Sequence, residues 1–109
     1  KNSKVFYNKI ITISNNNHDI LRSEMIKLGY YIKEEEIIKE KSKYYNLIVF
    51  HRIKREYSKE ELLVGYNHKN KVLLKEKNEY LINKYNKILN KTNNEKLINI
   101  VNILVNYKY

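Results

Sequence analysis

Residues 44–53 read Tyr-Tyr-Asn-Leu-Ile-Val-Phe-His-Arg-Ile. Leu47, Ile48, Val49 and Phe50 are continuous and apolar, the pattern of a strand covered on both faces. Just upstream, Glu36–Glu40 reads as a second strand, joined to the first by the polar turn Lys41-Ser42-Lys43. The charged run Lys33–Glu36 is expected outside the core. Farther back, Lys9–Ser14 is Lys-Ile-Ile-Thr-Ile-Ser, whose isoleucines suggest a buried strand. Asn15, Asn16 and Asn17 follow as a turn and cap cluster. His18–Leu28 then reads as a helix with Leu21, Met25 and Leu28 on one face, stopped at Gly29. A strand, a helix and a hairpin suit the end of an α/β sheet. They are too few to cover themselves, so an exposed sheet edge and an incomplete core are expected.

Downstream the periodicity becomes helical. Ser58-Lys59-Glu60-Glu61 fits a capping box and predicts a short helix through Val64, ending at Gly65. Tyr66–Lys69 reads as a loop. A long helix follows from Asn70 or Lys71 to about Lys91, with Leu74, Leu81, Tyr85 and Ile88 as a coiled-coil-like seam. Thr92-Asn93-Asn94 breaks it. A last helix is expected from Glu95 to Tyr107, with Leu97, Ile100, Val101, Leu104 and Val105 on its apolar side. Two helices joined by a short polar turn should form an antiparallel hairpin.

Composition constrains function less than it first suggests. The formal net charge is +10 over 109 residues, which points towards nucleic acid. However, Ala, Gln, Pro, Trp and Cys are absent while Asn, Lys, Ile and Tyr abound. Those four use A- and T-rich codons, so base composition alone inflates Lys. The charge is also evenly spread, +5 in residues 1–58 and +5 in residues 59–109, and forms no basic tail. Without Cys there are no disulfides or thiolate metal sites, which fits a cytoplasmic protein. No run is long enough for a membrane span, and no signal peptide is visible. The chain begins at Lys1, and its early strand favours truncation over processing.

Catalytic signatures are scarce. His18, His51 and His68 are scattered, without metal-ligand spacing, so no metal site is expected. Glu34–Glu36 reads as a solvated strand edge, and Glu61 is explained as a cap. Gly29 and Gly65 are isolated, which excludes a Gly-rich phosphate cradle within this chain. No catalytic residue is assigned. What remains is basic and aromatic surface. Arg22, Arg52 and Arg55 run against the codon bias. They suit either phosphate contact or salt bridges to Glu24, Glu56 or the acidic run.

The order of several motifs carries a resemblance. It runs through Asn15–Asn17, Leu21-Arg22, Leu28-Gly29-Tyr30, Ile32, Glu36 and Glu40, then Lys43-Tyr44-Tyr45 and Ile48-Val49. It continues through Tyr57-Ser58 and Glu60-Glu61-Leu62-Leu63-Val64-Gly65 to Leu74-Lys75-Glu76-Lys77-Asn78. This series resembles the C-terminal half of the TrmK family, the bacterial tRNA (adenine(22)-N1)-methyltransferases, over about Ile10–Leu89. The resemblance implies an α/β fold: the C-terminal part of a Rossmann-like class I methyltransferase sheet over residues 1–57, followed by a helical, coiled-coil-like tRNA-binding domain over residues 58–109. It implies S-adenosylmethionine as cofactor, held mainly upstream of Lys1, and tRNA as partner, with a monomeric intact enzyme. Asn15, Asn16 and Asn17 would form part of the substrate pocket wall. Arg22, Arg52, Arg55, Lys69, Lys71, Lys84 and Lys87 would contact tRNA. The chain departs from the family at Ile13-Ser14-Asn15, where Leu-Gln-Pro-Asn is usual, and in the longer loop from Tyr66 to Lys71. The chain alone is expected to be inactive. Two other readings stay open: a non-enzymatic basic helical module binding RNA or DNA, and an interaction segment whose Leu74–Ile88 seam meets a partner chain.

Overall fold

A computed structural model describes residues 8–109; the start of the domain expected over residues 1–57 lies outside them. The elements are β1 (Lys9–Ser14), α1 (His18–Lys27), β2 (Tyr31–Glu40), β3 (Lys43–His51), α2 (Lys59–Val64), α3 (Lys71–Leu89) and α4 (Glu95–Asn106). The strands form one sheet in the order β1-β3-β2, antiparallel at each pairing. The hairpin closes through Lys41 and Ser42, with Glu40 opposite Lys43 and Lys41 at φ 59°.

β3 is the central strand, which is why its sequence is continuously apolar: Ile48, Val49 and Phe50 are all buried. β2 is longer than the alternation of its sequence suggests. It begins at Tyr31 rather than Glu36, and a bulge between Ile32 and Glu34 leaves Lys33 without a partner on β3. An inserted residue reverses which side chains face which side of a sheet. Ile32, opposite Phe50, and Glu35, opposite Ile48, therefore share one face. The expectation that Lys33–Glu36 lies outside the core is thus corrected, because Glu35 is fully buried.

On that face Tyr30, Ile32, Ile48 and Phe50 make the core, with Ile10, Leu21, Met25, Tyr57 and Tyr66 packed against them. α1 ends as expected, Gly29 taking φ 89°, a region open to Gly at little cost. β1 is only half covered. Its burial alternates, and Ile11 and Ile13 are 56% and 62% exposed. The expectation of a buried strand fails there because, among the described residues, nothing covers the face that carries Ile11 and Ile13.

The chain divides into two compact units, meeting at Lys69 and Asn70. α2 and the loop after it belong with the sheet, beyond the residue 57/58 boundary drawn from sequence. The Ser58 capping box forms in full: the Ser58 hydroxyl accepts from Glu61 N at 3.1 Å and Ser58 N donates to the Glu61 carboxylate at 2.9 Å. In the second unit α3 packs on α4. Each helix is capped by Asn: Asn70 accepts from Leu73 N at 3.0 Å, and Asn94 from Leu97 N at 3.2 Å. Leu74 and Leu104 are buried, whereas Ile88 is 39% exposed. Asn78, also buried, donates to the Tyr109 hydroxyl at 2.9 Å.

Candidate functional site

Among the described residues, a polar group is centred on Arg22 and Glu35, both 0% exposed. Arg22 sits one turn into α1. Its Nε donates to Glu35 Oε2 at 2.9 Å and its Nη2 to Oε1 at 2.7 Å, a bidentate pair. Nη1 donates to the carbonyls of Leu62 and Leu63 at 2.8 and 3.0 Å, and Nη2 reaches Val64 O at 3.4 Å. All five guanidinium donors are therefore used. The last carbonyls of α2, which no helical amide can satisfy, are capped by a cation. Glu35 also accepts from Tyr66 N at 2.9 Å and from Asn46 Nδ2 at 3.5 Å.

The loop after α2 closes around the same pair. Glu35 N donates to Asn67 O at 3.3 Å and Lys69 N to Glu35 O at 2.8 Å, so residues 67–69 run beside β2 as a short bridge. His68 is buried; its Nε2 donates to Val64 O at 2.8 Å and lies 3.8 Å from Glu35 Oε1, so the carbonyl is its principal partner. Gly65 turns the chain at φ 120°, and a Cβ there would collide with His68 Nε2 and the Glu35 carboxylate. Burying an ion pair is costly unless every lone pair and proton is matched, and here they are. The result fixes α1, β2, α2 and the 65–69 loop relative to one another. Arg22, expected at tRNA, is thereby corrected: its guanidinium is consumed internally and does not reach a phosphate. The salt-bridge alternative, to the acidic run, is the one observed.

With α1 fixed, the turn at the carboxyl end of β1 is positioned. In open α/β sheets ligands bind outside the carboxyl ends of such strands. Asn17 caps α1 in the left-handed conformation, φ 56° and ψ 36°, with no side-chain cap bond. His18 Nε2 donates to Ser14 O at 3.0 Å across the turn. Asn15, Asn16 and Asn17 are exposed, and no hydrogen bond of their amides occurs among the described residues. Each offers two donors and an acceptor to a ligand. The side-chain hydroxyls of Thr12 and Ser14 are buried nearby without partners among the described residues.

The other expected contacts are dispersed. Arg52 and Arg55 are exposed at the opposite end of the sheet, stacked over the rings of Tyr30 and Tyr66 at 5.1 and 5.5 Å. Lys69 pairs with Glu34 at 3.2 Å on the surface. Lys71 is exposed in the first turn of α3, where a cation is disfavoured by the helix dipole. Lys84 and Lys87 line a groove along α3 with Tyr80, Asn83 and Ile88. Among the described residues no cluster could hold a metal ion. The residues missed from sequence are Glu35, Asn46, Gly65 and His68. Their one signal was Ile32 and Glu35 at a spacing that only a bulge places on one face.

The family model described as tRNA (adenine(22)-N(1))-methyltransferase, TrmK, matches residues 1–106. No individually curated protein matches the sequence. Among solved structures, M. capricolum TrmK in complex with S-adenosyl-homocysteine shares 28% identity at a TM-score of 0.77, covering 92% of this chain and 48% of that one. Streptococcus pneumoniae Sp1610, a candidate tRNA (m1A22) methyltransferase in complex with S-adenosyl-L-methionine, shares 21% identity at 0.78, covering 90% and 46%. A Streptococcus agalactiae protein of the NADB-Rossmann superfamily shares 24% identity at 0.78, with the same coverage. The chain thus spans about half the length of these solved relatives, and its α/β fold is of their Rossmann-like type. Matched along nearly its whole length by the family model, the chain belongs to the TrmK family of tRNA (adenine(22)-N(1))-methyltransferases.

Proposed function

We propose that this chain is the C-terminal part of an S-adenosylmethionine-dependent enzyme that methylates N1 of an adenine in the D-arm region of tRNA. The family match over residues 1–106 carries the reading, and the likeness to M. capricolum TrmK with its bound cofactor product supports it. Among the described residues β1 has no partner on its outer edge and Ile11 and Ile13 have no cover, which suits a sheet, and a layer packed on it, that continue past β1.

S-adenosylmethionine supplies, when bound, a methyl group on a sulfonium centre. Its adenosine portion requires a Gly-rich turn and an acidic ribose partner in Rossmann-like sites. The described residues do not fit that need, because Gly29 ends α1 and Gly65 packs against Glu35 and His68. No donor contact is assigned to this chain. Its contribution is to the RNA. N1 lies on the Watson–Crick edge, so the adenine must leave its pairing to react. The amides of Asn15–Asn17 stand where they can hold such a base edge, and most of their effect is orientation. Arg52, Arg55, Lys69, Lys71, Lys84 and Lys87 supply phosphate contacts, with α3 and α4 as the tRNA-binding part. A tRNA-modifying enzyme works in the cytoplasm, here as a monomer. No helix among the described residues is long and apolar enough to cross a membrane.

The test is methylation of unmodified tRNA by the full-length protein, mapped by arrest of reverse transcription at N1-methyladenine. Arrest at one D-arm adenine is expected. Donor-dependent methylation elsewhere, or none, would contradict the reading.

A further inference from the structure

The sheet has a second organised end, away from Asn15–Asn17. Lys9 pairs with His51 and His51 with Tyr31, whereas Ser14 pairs with Asn46. The two ends are about 17 Å apart along β1. Beyond His51, the segment leading to α2 borders a cleft of about 420 Å³, a size within the roughly 300–1,000 Å³ of ligand pockets. Its lining combines apolar Ile26 and Leu62, the aromatic Tyr31 and Tyr57, and the charged Lys54, Arg55 and Glu56. Tyr57 is pinned by its hydroxyl, which donates to Ile32 O at 2.7 Å. Arg55 is held over the Tyr66 ring. Lys54 and Arg55 are exposed, and neither forms an ion pair among the described residues. Positive potential from Lys33 and Arg55 reaches His51, whose pKa is lowered by burial first and then by those two charges.

We infer that this cleft receives one unpaired nucleotide of the RNA substrate, its phosphate against Lys54 and Arg55 and its base against the Tyr31 ring. This rests on the tRNA reading proposed above and adds a contact remote from the methylated base. Two cations beside the Glu56 carboxylate are a weak trap for a free anion. They add to binding when the phosphate belongs to a polyanion already held elsewhere. The apolar and aromatic lining supplies what a phosphate alone does not need, a surface for the flat face of a base.

The test is tRNA binding by the full-length protein at several salt concentrations, by fluorescence anisotropy, with S-adenosylmethionine affinity as the check on folding. Lys54→Ala/Arg55→Ala should weaken binding about tenfold and flatten the salt dependence by roughly one to two phosphate contacts. Tyr31→Leu should weaken it by about tenfold with little change in salt slope, while Tyr31→Phe stays near wild type. Unchanged affinity and slope in the double variant, in a protein that still binds and methylates tRNA, would overturn this inference and with it the Arg55 phosphate contact, while the methyltransferase reading would stand. A wild-type protein that neither binds nor methylates tRNA overturns both.

Discussion

Glu35 shows what a single side chain does here. It sits in an acidic run that reads as solvated surface, yet it is fully buried against Arg22. Breaking a buried pair by removing one partner costs about 3–5 kcal/mol. Arg22→Met should therefore destabilise the protein by about that amount, and Glu35→Gln by less. The asymmetry follows from the contacts: loss of Arg22 also strands the carbonyls of Leu62, Leu63 and Val64, whereas Gln retains an acceptor. Urea denaturation followed by circular dichroism measures both, and equal or smaller loss in Arg22→Met would contradict the assignment. Gly65→Ala meets a disallowed φ and a direct collision; it should cost about 1–3 kcal/mol or more from the backbone alone. His51 gives the pH dependence. Its pKa lies below the usual 6.5 in the folded state, so the unfolded chain takes up the proton more readily. The stability it contributes is present above pH 6.5 and is lost as pH falls through the folded value. His51→Gln should flatten the stability profile below that pH, and an unchanged profile would show that His51 is not its source.

Among the elements, the helices were readable because their signals are local. The Ser58-x-x-Glu61 box forms both its bonds, and Ser58→Ala should cost about 0.5–2 kcal/mol in thermal or chemical denaturation. α3 and α4 end within a few residues of where their Asn caps and breaks place them. β3 was readable because a central strand needs no alternation. β2 was not, because one bulged residue moves Glu35 to the face where Glu34 or Glu36 would otherwise point, and no local rule marks the shift. The same gap hid the polar centre: Arg22, Glu35, Asn46, Gly65 and His68 are spread over the chain, and only the packed sheet brings them together. Arg22 stood out as an unusual residue with two partners open, a phosphate or the acidic run, since rarity marks importance without distinguishing them; the internal pair is the one formed, and the tRNA contact that the resemblance implied is not. Asn15–Asn17 are where the sequence places them, at the carboxyl end of β1.

At the scale of the molecule, the proposed function makes the β1-β3-β2 sheet one flank of a larger Rossmann-like methyltransferase sheet. Residues 1–109 alone should show no methyl transfer to tRNA, because no donor cradle is present among the described residues; turnover by this chain would contradict that. The continuation past β1 is tested most directly by amide hydrogen exchange along Lys9–Ser14, comparing residues 1–109 with the full-length protein. Amides of β1 that are unprotected in the short chain should become as protected as those of β3 in the long one. Equally rapid exchange of those amides in both, with β3 protected throughout, would contradict it and leave β1 as a true outer edge.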